Sequence, residues 1–200
     1  FMAVGDANCD EAPLQVSQFE ADNRIVEQLT QIFLEHGGGG NNFESYNFPW
    51  WFAANRTVHD SIIKRAKRGY LFTVGDEEAP ADLTIDQIER FIGAKPERKQ
   101  SSAEMLADAQ RSYDVFHIII EEGDYARSHK DRVIESWSKI LGQHVIRLSD
   151  HKKLAETIVS TIEVVEGRDA AEVTKKFGTE VFTAVKHLPK SRTPRLALPA

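Results

Sequence analysis

Residues 1–15, FMAVGDANCDEAPLQ, and residues 69–83, GYLFTVGDEEAPADL, run the same course: an apolar strand into Val-Gly-Asp, an acidic turn, then Ala-Pro. An aspartate that closes a buried strand is where open α/β sheets tend to place ligands. Around the first copy, FMAV and LQVSQF (14–19) are two short strands separated by the polar turn GDANCDEAP, which predicts a hairpin. A helix over Glu20–Glu35 follows, with Ile25, Leu29, Ile32 and Phe33 at helical spacing and the glycines 37–40 as its stop. From the second copy onward, strand and helix alternate. YLFTV (70–74) leads to a helix carrying Leu83, Ile85, Ile88, Phe91 and Ile92, and YDVFHIII (113–120) to a helix over Asp131–Leu141 with Val133, Ile134, Trp137, Ile140 and Leu141 on one stripe, stopped by Gly142. HVIRL (144–148) leads to a helix carrying Leu154, Ile158 and Ile162, and a last helix carries Val173, Phe177, Val181, Val185 and Leu188. Strands that are apolar on both faces and alternate with helices predict a doubly wound, mostly parallel sheet with helices on both faces and a β-hairpin at its edge.

The chain has 200 residues, 41% of them hydrophobic, which is enough for one domain with its own core. We therefore read residues 1–188 as a single α/β domain with a polar surface insertion near 93–112, and residues 189–200 as a flexible tail. A net charge of -6 argues against nucleic acid and anionic membranes as partners, because phosphate binding leans on clustered Lys and Arg. The single cysteine, Cys9, allows no internal disulfide. With no apolar run of about 20 residues to span a bilayer and no signal peptide at the start, a cytoplasmic protein is expected.

The segment EHGGGGNNFESYNF (35–48) holds the densest signal, since glycines permit close backbone approach to a ligand. No Gly-Lys-Ser/Thr follows, so it is not a P-loop. In order, FMAVGD, PLQVSQF, a helix over 21–35, GGGGNN and LFTVGDE make the chain resemble the von Willebrand factor A family, in its intracellular microbial or viral form, over roughly residues 1–165. That family runs through the same sequence of strand, hairpin partner, helix, glycine loop and aspartate-ending strand. Its first strand, with an Asp-x-Ser-x-Ser motif, has no counterpart among these residues. We expect either an upstream segment that supplies it or another element that fills its place.

The resemblance implies a Rossmann-like topology and a metal-ion-dependent adhesion site. Asp76 corresponds to the aspartate of that site and Asn41 to its threonine, with Asn42 or Ser45 as substitutes if the alignment slides. These oxygen donors suit Mg²⁺ or Mn²⁺. Asp6, Asp10, Gly39, Gly40, Trp50 and Trp51 form the expected interaction rim, since FPWWFAANR packs its aromatics beside the glycine loop and interface hot spots favour Trp. The implied function is a protein-interaction or adaptor domain with no catalytic residues. It would bind an acidic side chain of a protein partner through the metal, and a MoxR-type AAA+ ATPase is one such partner. The alternatives are a metal-dependent phosphoesterase or hydrolase, and a structural assembly protein with a degenerate metal site. The implied topology also puts both Val-Gly-Asp turns, IIIEEGD and RLSD on one acidic carboxyl edge of the sheet; on it Asp150 reads as a helix N-cap and Glu121 and Glu122 as a solvated loop, while His117 reads as a core or face residue. The scattered histidines have no paired zinc-ligand spacing.

Overall fold

A computed structural model of the protein describes residues 1–20, 22–35 and 41–190. In chain order the elements are β1 (Met2–Val4), β2 (Leu14–Val16), α1 (Arg24–Thr30), α2 (Asn47–Arg56), α3 (Asp60–Arg65), β3 (Gly69–Gly75), α4 (Ile85–Ile92) and α5 (Ser102–Ala109). They continue with β4 (Tyr113–Ile120), α6 (Asp124–Leu141), β5 (Val145–Leu148), α7 (Leu154–Val165), α8 (Ala170–Thr174) and α9 (Thr179–Val185). The fold is mixed α/β. Its residues form two compact units, Phe1–Thr57 with Pro80–Ala109 and Val58–Ala79 with Gln110–Ala200, so the two Val-Gly-Asp turns fall in different units.

In the first unit β1 and β2 pair antiparallel, with Met2 opposite Val16 and Val4 opposite Leu14; the expected hairpin forms, but as a two-stranded sheet of its own and not as the edge of the parallel sheet. Helix α2 starts at Asn47 and carries Pro49 in its first turn, where a missing N–H costs nothing. Phe48, Pro49, Trp50, Trp51 and Ala53 are buried along it, and Phe48 meets Phe91 of α4 edge to face at 5.9 Å. Helix α5 buries Met105, Leu106 and Ala109. Part of the segment read as a surface insertion is therefore core. Helix α1 is shorter than its periodicity predicts, and it buries no residue. Amphipathic helices gain most of their stability from a packed apolar face, and Val26 and Leu29 are exposed.

The second unit holds the parallel sheet, in the order β3-β4-β5. Central β4 is buried along seven of its eight residues, as a strand covered on both faces must be. One face of the sheet gives Phe116, Ile118, Ile146 and Leu148 to a core completed by Val164, Val165, Val173, Ala184, Val185 and Leu188 of α7, α8, α9 and the turn after α9. On the other face His117 stacks on Trp137 of α6, ring centroids 3.4 Å apart and planes 8° from parallel. Helix α6 begins seven residues earlier than the sequence predicts, but its helical geometry breaks at His129, and its buried Val133, Trp137 and Leu141 all follow that break. The apolar stripe therefore located the packed half of the helix. Among the described residues, no helix is long and apolar enough to cross a membrane.

Candidate functional site

The carboxyl ends of three neighbouring parallel strands open onto one crest of the second unit. Asp76 follows β3, Glu121 and Glu122 follow β4, and Asp150 and His151 follow β5. Parallel strands point their ends the same way, so acidic residues scattered over 75 positions of chain arrive together.

Asp76 is held at the N-terminus of α6, where its Oδ2 accepts the Tyr125 backbone N–H at 3.0 Å. A carboxylate here satisfies one of the helix's open donors and lies at the positive end of its dipole. The turn presses hard on it: a Cβ placed on Gly123 would lie 2.4 Å from the Asp76 Cβ and from its Oδ2. Gly123→Ala should therefore cost about 1–3 kcal/mol, as overpacking does. Urea unfolding will check this, and an unchanged midpoint would mean that Asp76 is free to move aside. Glu78 completes this corner by accepting from the Tyr125 hydroxyl at 2.5 Å and pairing with Arg132 at 3.1 Å. Burial and the bond to Glu78 together raise the Tyr125 pKa.

Glu121 is committed to structure. It pairs with Arg147 at 2.5 Å and Lys130 at 3.0 Å. Burial pushes its pKa up, but these two cations outweigh burial and hold it below the usual carboxylate range. Glu122 bonds to the turn after β5. Its Oε1 accepts the His151 backbone N–H at 2.7 Å and contacts the His151 imidazole Nδ1, and these two donors lower its pKa, the backbone one most. Asp150 accepts the Lys152 N–H at 2.9 Å, an N-cap of the turn His151–Lys153. One donor atom each from Glu122, Asp150 and His151 lies within 4.8 Å of the other two. Two carboxylates and an imidazole at that spacing can close around one divalent cation.

The expected acidic edge brings Asp76, Glu121, Glu122 and Asp150 to this crest; the grouping of Glu122 and Asp150 with His151 is what that expectation leaves out. Glu122 reads as a solvated loop residue and His151 carries no motif. The unused signal is His151 directly after Asp150, which adds an imidazole to the acidic edge.

The other expected ligands belong to the first unit. There Asp6, 2% exposed, accepts from the Asn8 backbone at 3.0 Å, from the Asn8 Nδ2 at 2.9 Å and from the Asn41 Nδ2. Asn41 turns its amide nitrogen to Asp6, and its Oδ1 accepts the Phe43 N–H at 3.2 Å. Ser45 Oγ accepts the Ala7 N–H at 2.9 Å, and Asp10 Oδ2 accepts the Asp6 N–H at 2.6 Å. Asn42 is partly exposed. Asn41 and Ser45 thus fasten the segment before α2 to the hairpin turn. Of the expected rim, Asp6 is buried beneath that turn, and Trp50 and Trp51, at 0% and 7% exposure, are core residues of α2 that present no surface anchor. Gly39 and Gly40 lie outside the described residues. Comparison with protein-family models, with curated proteins and with solved structures returns no match for this chain.

Proposed function

We propose that the chain is a protein-interaction module of von Willebrand factor A type that engages its partner through a divalent cation at the carboxyl crest of the parallel sheet. The observation that carries this reading is the convergence of Glu122, Asp150 and His151 at the ends of adjacent strands, with donor atoms within 4.8 Å of one another. The topology is compatible with it: an antiparallel hairpin precedes a parallel sheet ordered β3-β4-β5, with helices on both faces.

His151 is exposed and Asp150 half-buried, so a cation there keeps coordination positions open to a partner's carboxylate. Two carboxylates with one imidazole favour Mn²⁺ over Mg²⁺, which prefers oxygen alone. Asp76 acts from the side, because its bond to Tyr125 and its contact with Gly123 set the turn that presents Glu122. The set Asp76, Asn41, Asn42 and Ser45 is the one the resemblance implies, and its oxygens would take Mg²⁺ or Mn²⁺ equally. The partner is a protein that offers an acidic side chain, and a MoxR-type AAA+ ATPase is the class the resemblance points to. The role is binding, with no catalytic group assigned.

Calorimetric titration of Mn²⁺ into the full chain, and into Glu122→Gln and His151→Ala, tests this. The wild type should bind, and each variant should bind at least about tenfold more weakly, the loss expected for one ligand or its orienting neighbour. An Asp76→Ala chain that loses all binding while both cluster variants keep it would move the cation to the set implied by the resemblance.

A further inference from the structure

Helix α6 is two helical segments joined at His129, whose φ of -131° and ψ of 32° leave the helical range. Its 18 residues contain no proline or glycine to account for the break. Side chains supply a local cause. Ser128 Oγ donates to the Asp124 carbonyl at 3.2 Å, a back-bond of the kind that bends helices. The His129 ring stacks on Tyr125 of the first segment, centroids 4.4 Å apart and planes 17° from parallel.

The two segments are held by different forces. After the break, Val133, Trp137 and Leu141 are buried, Trp137 Nε1 donates to the Glu77 carbonyl at 2.8 Å, and Ser136 Oγ accepts the Ala79 N–H at 3.1 Å. Before it, the small side chain of Ala126 is buried, while Asp124, Arg127, Ser128 and His129 are exposed. Polar groups fasten this first segment instead: the Tyr125 N–H donates to Asp76 at 3.0 Å and the Tyr125 hydroxyl to Glu78 at 2.5 Å. Regions with few buried apolar contacts open at a fraction of the free energy of global unfolding. The first segment also runs straight out of the crest turn, and Arg127 donates to the Glu122 carbonyl at 2.5 Å.

We infer that residues 122–129 form a hinged clasp, turning at His129, that opens and closes as one piece and sets Glu122 within reach of Asp150 and His151 only when closed. Closure makes the two Tyr125 bonds. Opening breaks them and draws Glu122 from the turn after β5, where it accepts the His151 N–H. A cation held by Glu122, Asp150 and His151 would tie the leading end of the clasp to that turn. Closure and cation binding then favour each other by the same factor, as linkage requires. This regulation rests on the cation reading above; the hinge itself does not.

Amide hydrogen exchange of the full chain without added metal tests the hinge. The amides of Tyr125, Arg127 and Ser128 should share one opening of shallow urea dependence, at least about tenfold more populated than the opening that exposes Val133–Leu141. Tyr125→Phe keeps the ring and removes the bond to Glu78. It should speed exchange of the first group about tenfold and leave Val133–Leu141 unchanged, which also shows that the fold persists. Exchange that grades smoothly from Asp124 to Leu141, as fraying gives, would overturn the hinge, as would one opening shared by both segments. Mn²⁺ at about a hundred times its Kd should then slow the first group at least about tenfold. A chain that binds Mn²⁺ without this slowing would overturn the coupling alone. One that binds no Mn²⁺ would overturn the coupling together with the cation reading, while the metal-free exchange decides the hinge by itself.

Discussion

Trp137→Ala should be the most damaging single substitution in the second unit, lowering its stability by about 3–5 kcal/mol, the usual cost of deleting a fully buried tryptophan. Three losses coincide at this position. The indole is wholly buried between α6 and the sheet, it stacks on His117, and its Nε1 donates to the Glu77 carbonyl at 2.8 Å. Removing it opens a cavity, strips the stack and leaves that carbonyl without the indole donor. For a chain of this size the loss corresponds to a fall of about 6–20 °C in the melting temperature. Thermal unfolding followed by circular dichroism measures it, and a fall of only a degree or two would show that α6 does not anchor the sheet. The crest should suffer as well, since Glu77 is one residue from Asp76 and one from Glu78.

The second large effect is on pH dependence. His117 is completely buried and burial alone holds its pKa well below the ordinary histidine value. Its Nδ1 is within hydrogen-bonding distance of the Thr73 hydroxyl, at 2.8 Å. In the unfolded chain the same imidazole titrates near its ordinary pKa of about 6.5. Below that pH the unfolded state binds a proton that the folded state refuses, so stability falls as pH drops. The stabilising contribution is complete above about pH 6.5 and is lost at up to about 1.4 kcal/mol per pH unit as the pH falls toward the lowered folded value. His59, whose pKa is lowered by burial and then by Arg65, adds to the slope in the same direction. Urea unfolding between about pH 7.5 and 5, straddling the histidine pKa, should show this decline. His117→Phe, which keeps a ring against Trp137, should flatten it. An unchanged slope in that variant would mean that other groups carry the acid sensitivity.

Where sequence patterns were local, they carried over to the structure. FMAV and LQV pair as a hairpin, and YLFTV, YDVFHIII and VIRL lie in the three parallel strands, because apolar runs bounded by turns have few other uses in an alternating chain. The stripe Val133, Trp137 and Leu141 fixed the packed part of α6. Patterns failed where an apolar face had no neighbour, as in α1, and where a polar-looking segment supplied core residues, as in α5. They failed also where function depends on strand order. Glu122, Asp150 and His151 are unremarkable in a one-dimensional reading, since each belongs to an ordinary turn. Only the parallel pairing of β4 with β5 brings them within reach of one cation. The residues singled out by the family resemblance do have demanding environments, but the bonds they make are structural: Asp76 holds α6, and Asn41 and Ser45 hold the hairpin turn.

These two ligand sets differ in one element. The cluster on the crest offers an imidazole nitrogen, whereas the set that the resemblance implies, Asp76, Asn41, Asn42 and Ser45, would offer oxygen alone. Electron spin-echo spectroscopy of Mn²⁺ bound to the full chain separates them, because a coordinated imidazole imprints nitrogen modulation on the manganese signal. The wild type should show such modulation and His151→Ala should lose it. Bound Mn²⁺ with no nitrogen coupling, or no bound Mn²⁺ at all, would contradict a cation site at the crest.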